Sequence, residues 1–408
     1  MTTRARAFQY ALRPTVKQQR LLSSLLEEQR KLYNAALEER RGVWRWERRT
    51  VTRFEQNRTL TGLAQQEPVL MAFGVTVARG TLLRLDRAFQ AFMRRARAGQ
   101  SPGFPRFQSS KRFRSVEWPD TSGWKLHEAS GRLALHGIGD VRVLLHRPLR
   151  GSPKTITVAR VGERWQVTVF CTDVEPSHLP QTNRAVGLDL GVSVAAALSD
   201  GTLVDNPRHL ARSAHALATA QRVATGRQQG SRRQAKARAV VAMLHRRIGR
   251  QRKDFLHKQS RLLVNEHDVI VIEDLPVSRL VRRPQPVTDP NGGYSPNGAA
   301  AKAGLNKSIL DVAWGTFRAM LTYKAEEAGR QVIAVSPRHS SQMCAGCGHV
   351  TQDNRRGTAF NCVRCGRRDH ADVNAAINIL RAGLAVRRER EANSESAASA
   401  AISHLASH

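Results

Sequence analysis

A short apolar run with one acid inside it constrains this chain most. Residues 185 to 191 read AVGLDLG, so Asp189 lies among aliphatic residues with a glycine on either side. This pattern predicts a buried strand that holds the carboxylate of Asp189 in a dry environment. An unpaired carboxylate there would cost several kcal/mol, roughly, so a positive group must meet it. A structural Arg or Lys partner and a bound cation both satisfy this requirement.

The charge of the chain indicates an anionic partner. Its 408 residues include 66 Lys and Arg against 33 Asp and Glu, a formal net charge of +33. Such a chain repels itself unless it works beside a polyanion, and nucleic acid is the expected one. An anionic membrane surface is the rival, but no apolar run approaches the roughly 20 residues of a spanning helix. Because the N-terminus lacks an apolar signal core, we expect a cytosolic protein with no membrane partner.

Two stretches are candidates for contact with nucleic acid. Residues 208 to 261 hold fifteen Lys or Arg against the single acid Asp254, a bias that favours a nucleic-acid track over a merely solvated face. The expected buried stripe of this helix consists of Val240, Leu244, Ile248, Phe255 and Leu262. Residues 44 to 49, WRWERR, either stack on exposed bases and bind phosphate or supply core Trp beside solvated Arg.

The first half of the chain predicts a small antiparallel barrel or sheet. Strand-like runs occur at residues 8–12, 132–135, 141–145, 155–159 and 165–171. Apolar spacing predicts helices over residues 16–40 and 81–97, inserted after the first strand. A Pro-containing linker at residues 175–182 ends this half. Cys171, in the last of these strands, is most simply a small core residue.

The second half predicts an α/β arrangement. The strand of Asp189 leads to an Asp-Gly hairpin at residues 200–201, and the long basic helix follows. A buried strand at residues 268–275 then carries Glu273 at its carboxyl end, where catalytic groups collect in open α/β sheets. Residues 282–307 are rich in Pro, Gly and Asn and are expected to be mobile. A helix over 309–329 and a strand over 332–335 complete the pattern.

Four of the five cysteines form two Cys-x-x-Cys pairs separated by fourteen residues. Disulfides are not expected in the cytosol, and four thiolates complete a tetrahedral Zn²⁺ shell with no open position. The spacing therefore predicts a structural zinc ribbon. Its ligands are Cys344, Cys347, Cys362 and Cys365.

A third acid, Asp372, opens the helix that follows the cysteines, where it acts either as an N-cap or as a metal ligand. Together with Asp189 and Glu273 it can converge on one edge of a sheet. Three clustered carboxylates repel one another unless cations neutralise them, and their hard oxygens suit Mg²⁺ or Mn²⁺. Two such ions activate water and stabilise the leaving oxygen in phosphodiester hydrolysis.

At these residues the sequence resembles the TnpB (OrfB) family, the transposon-encoded relatives of the type V CRISPR effectors. The resemblance rests on GLDLG at 187–191, VIEDL at 271–275, the cysteine pairs with the preceding SSQM at 340–343, and DVNAAINI at 372–379. YALRPT at 10–15, KLYN at 31–34 and GFPRF at 103–107 extend it into the first half.

The resemblance implies an α/β multi-domain protein with a RuvC-like nuclease domain of RNase H fold. Its catalytic acids map onto Asp189, Glu273 and Asp372, which hold Mg²⁺. The implied domains are a wedge-like β-barrel (1–13 and 101–182), a helical recognition bundle (14–100), the nuclease domain (183–337 and 368–386) and the zinc ribbon (338–367). The tail (387–408) has no counterpart in the family, and because Ala and Ser dominate its end we expect it to be disordered. The insertion at 283–304 departs from the family near the place of a lid over the active site.

The resemblance also implies the partners. A noncoding guide RNA derived from the transposon end pairs with double-stranded target DNA, and the protein cleaves next to a short element-specific motif. Two other functions compete with this RNA-guided endonuclease. A repressor that has lost cleavage would show substituted acids, and none is seen. A transposase would need a nucleophilic Tyr, and none of the four tyrosines lies in a His-rich motif.

Overall fold

The computed structural model describes residues 4–63, 72–290 and 292–405, and the side chains of these residues up to 393. The chain divides into two compact units, Met1–Glu175 and Pro176–His408. The linker expected to end the first half belongs to the second unit, because Asp268 accepts hydrogen bonds from the backbone N–H groups of Thr182 and Asn183. The finer division into five domains stays a prediction.

The first unit contains a seven-stranded antiparallel sheet. Its strands are β1 (Arg4–Arg13), β2 (Ser115–Trp118), β3 (Trp124–His127), β4 (Arg132–Leu135), β5 (Gly139–Leu144), β6 (Ser152–Val161) and β7 (Arg164–Val174). Their order in the sheet is β2-β6-β7-β1-β5-β4-β3. The edge strands β2 and β3 are consecutive in the chain and joined only by residues 119–123, so the sheet is nearly closed and barrel-like. The structure therefore confirms the small antiparallel barrel or sheet expected in the first half of the chain.

The helices described in the first unit are α1 (Val16–Glu47), α2 (Arg53–Leu63) and α3 (Val75–Arg97). Helix α1 runs past its predicted end at residue 40, so Trp44 and Trp46 lie on a helix. Helix α3 begins before its predicted start at residue 81. Gly80 explains the difference, because a Cβ there would lie 2.0 Å from the Glu117 carbonyl oxygen, and only glycine lets the helix approach β2 this closely. One hydrophobic core joins these helices to the sheet.

The second unit contains a five-stranded mixed sheet. Its strands are β8 (Ala185–Asp189), β9 (Val194–Leu198), β10 (Leu203–Asp205), β11 (Val269–Glu273) and β14 (Gln331–Val335), with β12 (Val287–Thr288) and β13 (Tyr294–Ser295) forming a separate hairpin. The order is β10-β9-β8-β11-β14. Strand β11 pairs in parallel with both β8 and β14, while β8 and β9 are antiparallel. The predicted Asp-Gly turn joins β9 to β10, where Gly201 has a φ of +95°.

The remaining described helices are α4 (His209–Arg212), α5 (Ala214–Thr225), α6 (Arg232–Glu266), α7 (Val277–Leu280), α8 (Ala299–Val312), α9 (Trp314–Ala328) and α10 (Ala371–Leu405). The predicted helix over 309–329 is two helices, broken at Ala313, which has a φ of +61°. Helix α10 continues as far as Leu405, through most of the segment expected to be disordered; residues 406–408 lie outside the described residues. Ala, which dominates this segment together with Ser, is the best helix former.

The two faces of the five-stranded sheet are covered differently. Leu188 and Ile272 point into a core that they share with Leu256 of α6 and Leu321 of α9. The opposite face carries α10, and its contact is very close. A Cβ on Gly187 would lie 2.2 Å from the backbone oxygen of Ala376.

A similar close contact occurs one strand further along the same face. A Cβ on Gly383 of α10 would lie 2.3 Å from a methyl carbon of Val271 in β11. Glycine on the strand at one point and on the helix at the other therefore brings α10 down onto the sheet. No helix in the described ranges is both long enough and apolar enough to cross a membrane.

This close contact yields the first prediction. Gly187→Ala should lower the stability of the second unit by about 1–3 kcal/mol, since the added methyl group must displace backbone atoms of α10. The matched control is Gly249→Ala in α6, where a Cβ meets nothing within 4 Å and alanine is the better helix former. Stability is measured by urea unfolding, followed by circular dichroism. If the midpoints of both variants moved together, the contact at Gly187 would not be the constraint described.

Candidate active site

Two of the three predicted acids lie at the carboxyl ends of neighbouring parallel strands. Leu188 of β8 is paired with Ile272 of β11, so Asp189 and Glu273 each follow one residue later at the same height in the sheet. Side chains alternate between the faces of a strand. Because Gly187 faces α10, Asp189 does too, and Glu273 shares the face of Val271. The strand pattern alone therefore places both carboxylates on the face of the sheet that α10 covers.

The third acid, Asp372, is the second residue of α10. Its backbone N–H donates to Nδ1 of His370 at 3.2 Å, and its carboxylate oxygen Oδ1 lies 2.7 Å from Nη2 of Arg355. Asp372 is therefore inside the first turn and not at the N-cap position. Only 8% of its surface is exposed, the same fraction as for Glu273.

Electrostatics show that the three carboxylates share one environment. Burial raises the pKa of Asp189 to about 7, and the negative charges of Glu273 and Asp372 act in the same direction. Burial also raises the pKa of Glu273, against the effect of a hydrogen bond of 2.7 Å from the Ser340 hydroxyl. The structure thus brings together the acids that the sequence singled out, in a place where a nearby cation would favour their ionised forms.

The acids are not drawn into a tight cluster. Among the residues that the structure describes, the four cysteines are the only group of three or more His, Cys, Asp or Glu residues whose ligand atoms all lie within 4.8 Å of one another. Arg355, from the segment between the cysteine pairs, lies beside the acids and bonds to Asp372. Its guanidinium lowers the pKa of Asp189.

The four cysteines form a compact sulfur cluster. Sγ of Cys344 is 3.7 Å from that of Cys365, and Sγ of Cys347 is 3.6 Å from that of Cys362. A glycine follows each cysteine pair, Gly348 after the first and Gly366 after the second, and both have a φ of +73°. Both glycine N–H groups donate to the carbonyl of the first cysteine of their pair. The two turns therefore have the same geometry and present four thiols to a single point.

Short strands support these turns and join them to α10. They are β15 (Arg355–Arg356), β16 (Ala359–Asn361) and β17 (Arg368–His370), in an antiparallel sheet. We call the segment from residue 338 to 367 the ribbon, and β17 follows it directly. Asp369 in β17 is paired with Arg367 at 2.7 Å.

Three side chains of α10 hold the ribbon in place, a role that was not predicted from the sequence. Asn374 accepts from the Ala345 N–H at 2.9 Å and donates to the Met343 carbonyl at 2.8 Å. Asn378 donates to that carbonyl as well, and Arg381 donates to the carbonyl of Ala345. The signal was present in the sequence, because two asparagines four residues apart on an apolar helix face require buried partners.

The basic helix α6 packs differently from the prediction. Val240 and Leu262 of the expected stripe are 45% and 49% exposed, whereas Leu256 and Leu263 are buried with Ile248. Adjacent apolar pairs at 255–256 and 262–263 made the spacing ambiguous, and only the C-terminal part of α6 reaches the sheet core.

The aromatic and basic cluster of the first unit is at the surface. Trp44 is 54% exposed and Trp46 is 79% exposed, so the alternative of Trp as core filler is wrong. The guanidinium of Arg45 lies 5.2 Å from the centre of the Trp46 ring. Exposed aromatic rings beside Arg suit contact with unpaired bases and phosphate.

Comparison with known families covers most of the chain. A helix-turn-helix domain of the OrfB type matches residues 1–49, the OrfB model described as "Probable transposase" matches residues 169–283, and the "Cas12f1-like, TNB domain" matches residues 314–379. The solved structure described as a Cas12f1-sgRNA-target DNA complex has a TM-score of 0.55 and 10% identity, covering 92% of this chain and 98% of its own. That similarity concerns the fold.

Two relatives are similar in sequence as well. "Putative RNA-guided DNA endonuclease" of Streptomyces pristinaespiralis is 35% identical over 390 residues, covering 93% of this chain and 90% of the relative. "Putative RNA-guided DNA endonuclease InsQ" of Escherichia coli (strain K12) is 34% identical over 307 residues, covering 75% and 74%. Because the Streptomyces relative is 35% identical over nearly the whole length of this chain and of its own, and because the OrfB domain models match, the chain belongs to the TnpB (OrfB) family.

Proposed function

We propose that this protein is an RNA-guided DNA endonuclease whose second unit hydrolyses phosphodiester bonds of double-stranded DNA. The observation that carries the proposal is the placement of Asp189 and Glu273 on one face of the sheet and of Asp372 in the first turn of the helix that covers this face, where burial and the neighbouring carboxylates raise the pKa of Asp189. Membership of the TnpB family, with relatives named as RNA-guided DNA endonucleases, supports this reading. The mixed sheet with these acids supports assignment of the second unit as a RuvC-like domain of RNase H fold.

The acids fit a hard divalent cation, because they offer carboxylate oxygens in a partly dry site with excess negative charge. Asp189, Glu273 and Asp372 would hold Mg²⁺ or Mn²⁺, and such ions, when bound, activate water and stabilise the leaving oxygen. The hydroxyl of Ser340 fixes one oxygen of Glu273. Burial of Glu273 and Asp372 limits access of water to the carboxylates, which strengthens their interaction with a cation.

The sulfur cluster fits Zn²⁺. Four thiolates at about 2.3 Å from a tetrahedral ion lie about 3.8 Å apart, close to the 3.6 and 3.7 Å of the two sulfur pairs. Backbone N–H groups, of Cys365 first, lower the pKa of the Cys362 thiol to about 6, which favours the thiolate that a metal requires. The backbone of Arg367 lowers the pKa of Cys365, but hydrogen bonds with the other thiols outweigh it and raise that pKa to about 11, so the cysteines do not all ionise without a metal. The four cysteines leave no open position, so zinc here supports the ribbon and takes no part in hydrolysis.

The remaining parts of the chain would serve RNA and DNA. The net charge of +33 exceeds what a short DNA site needs, and the exposed Trp44 and Trp46 with their Arg neighbours suit a folded guide RNA. We propose that the wedge-like, recognition, nuclease and ribbon domains have the boundaries given by the family resemblance. A guide from the transposon end, a short motif beside the target and a cytosolic location complete the proposal. All three acids are present, which favours this enzyme over an inactive repressor.

The roles of the acids are tested by isosteric substitution. Asp189→Asn, Glu273→Gln and Asp372→Asn should each lower the cleavage rate about 100-fold or more while RNA binding changes no more than a few-fold, because each acid holds metal and not RNA. Asp369→Asn is the control, since that acid is paired with Arg367 in β17. Rapid cleavage by Asp372→Asn together with loss in Asp369→Asn would exchange the roles of the two residues.

Zinc content tests the ribbon. The purified protein should carry about one Zn²⁺ per chain, and Cys347→Ser or Cys362→Ser should lose it together with local stability, because ribbon folding and metal binding are one event. Cys171→Ala, which changes the fifth cysteine, should keep its zinc. Elemental analysis of freshly purified, reduced protein decides the matter, and a metal-free wild-type sample would refute the assignment.

The guided mechanism is tested with one plasmid library containing all short motifs beside a fixed target. In Mg²⁺, protein with its element-derived RNA should cut only where the guide matches and the adjacent motif is present, because guide pairing must replace the opened DNA duplex. Protein without RNA should bind DNA in a strongly salt-dependent way but not cut selectively. Equal cutting with and without RNA, independent of DNA sequence, would show that the protein is an unguided nuclease.

A further inference from the structure

Arg355 is a cation placed among the candidate catalytic acids, and nothing in the two-metal scheme explains it. Its Nη2 lies 2.7 Å from Oδ1 of Asp372, and its Nε donates to the carbonyl of Gly357 at 3.1 Å. The side chain of Arg355 is 33% exposed, whereas that of Asp372 is 12% exposed. The guanidinium therefore reaches from a partly open surface into the more enclosed site of the carboxylates.

The ribbon fixes the backbone of Arg355. The preceding residue, Asn354, is 1% exposed, and its side chain donates to the carbonyls of Gln342 and His349. Its Oδ1 accepts from the N–H of Val363 at 3.1 Å. Because these partners lie beside the first cysteine pair and within the second pair in the sequence, the folded ribbon determines where the arginine side chain begins. The side chain beyond it has several rotatable bonds and solvent on one side.

An arginine and a divalent ion compete for Asp372. The hydrogen bond from Nη2 occupies one lone pair of Oδ1 that a metal could use, and a guanidinium that stayed in place would repel an ion bound to the same carboxylate. The opposite possibility is that the arginine orients Asp372 for the metal. The two possibilities predict opposite changes in metal affinity. Removal of the arginine tightens metal binding in the first case and weakens it in the second.

We propose that Arg355 is a substitute cation: it neutralises Asp372 while the site holds no divalent ion and is displaced when the ion binds. This proposal rests on the proposed function, since it assumes that Asp372 is a metal ligand. Arg355 is then a positioning residue that sets how much metal the site requires. It also makes the ribbon, through a side chain and not through its sulfur atoms, a part of the acidic site.

The experiment measures Mn²⁺ binding, which does not depend on cleavage. Zinc-loaded, full-length protein freed of nucleic acid is titrated with Mn²⁺ at pH 8, and free Mn²⁺ is followed by electron paramagnetic resonance. Asp372→Asn gives the background from unrelated sites. Zinc content is measured for every variant, so that an altered ribbon is recognised independently.

Arg355→Gln should bind Mn²⁺ roughly tenfold more tightly than wild type, and Arg355→Met, which keeps the aliphatic stem, should do the same. Arg355→Lys keeps the charge and should stay near wild type. Arg356→Gln removes an equal charge from the exposed next residue and should change affinity less than twofold. Without metal, Arg355→Gln should also melt at a lower temperature at pH 8, because Asp372 has lost its cation.

Unchanged or weaker Mn²⁺ binding in both Arg355→Gln and Arg355→Met, with zinc retained, would overturn the inference while leaving the proposed function intact. Equal tightening in Arg356→Gln would overturn it too, since the effect would then be one of general charge. Failure of the wild type to bind more Mn²⁺ than Asp372→Asn would instead remove Asp372 as a ligand. That result would overturn this inference and the metal-binding role proposed for Asp372, while the proposed endonuclease function would still be tested by the cleavage assays.

Discussion

The close approach of α10 to the five-stranded sheet is the constraint on which the second unit depends. Gly187 and Gly383 leave no room for a side chain between the helix backbone and the strands. That distance brings the first turn of α10, with Asp372, over the carboxyl ends of β8 and β11. A bulkier residue at either glycine would lift the helix and separate the acids that the strands and the helix bring together. Packing of the smallest residues thus determines the geometry of the charged ones.

The three acids of the site depend on neighbouring polar and cationic groups to remain charged. Two strands and a helix place three acids together, and burial makes ionisation of Asp189 and Glu273 costly. Ser340 donates one hydrogen bond to Glu273, and Arg355 forms one ion pair with Asp372. Both come from the ribbon region, on either side of its first cysteine pair. The ribbon is therefore more than a separate zinc module, because its polar side chains complete the environment of the acids.

Local patterns predicted the framework, and partners distant in sequence escaped prediction. Apolar runs that carry an acid identified the strands ending at Asp189 and Glu273, and the cysteine spacing predicted the sulfur cluster, because each pattern is set within a few residues. The contacts of Arg355 and Ser340 depend on how the ribbon folds back onto α10, which no spacing encodes. The break at Ala313 likewise arises from packing of two helices on one core, where apolar periodicity continues across the interruption. The same limit explains the misassigned stripe of α6.

The hydrogen bonds between α10 and the ribbon limit how this protein could be shortened. Asn374 and Asn378 are buried, and the bonds they make are to backbone groups of residues 340–345. Excision of the ribbon would leave two amide side chains without partners on a helix that lies against the sheet, at about 1–3 kcal/mol each. A miniaturised nuclease built on this scaffold would need apolar replacements at both asparagines in the same step. Without them, the deletion would loosen the helix that carries the third acid.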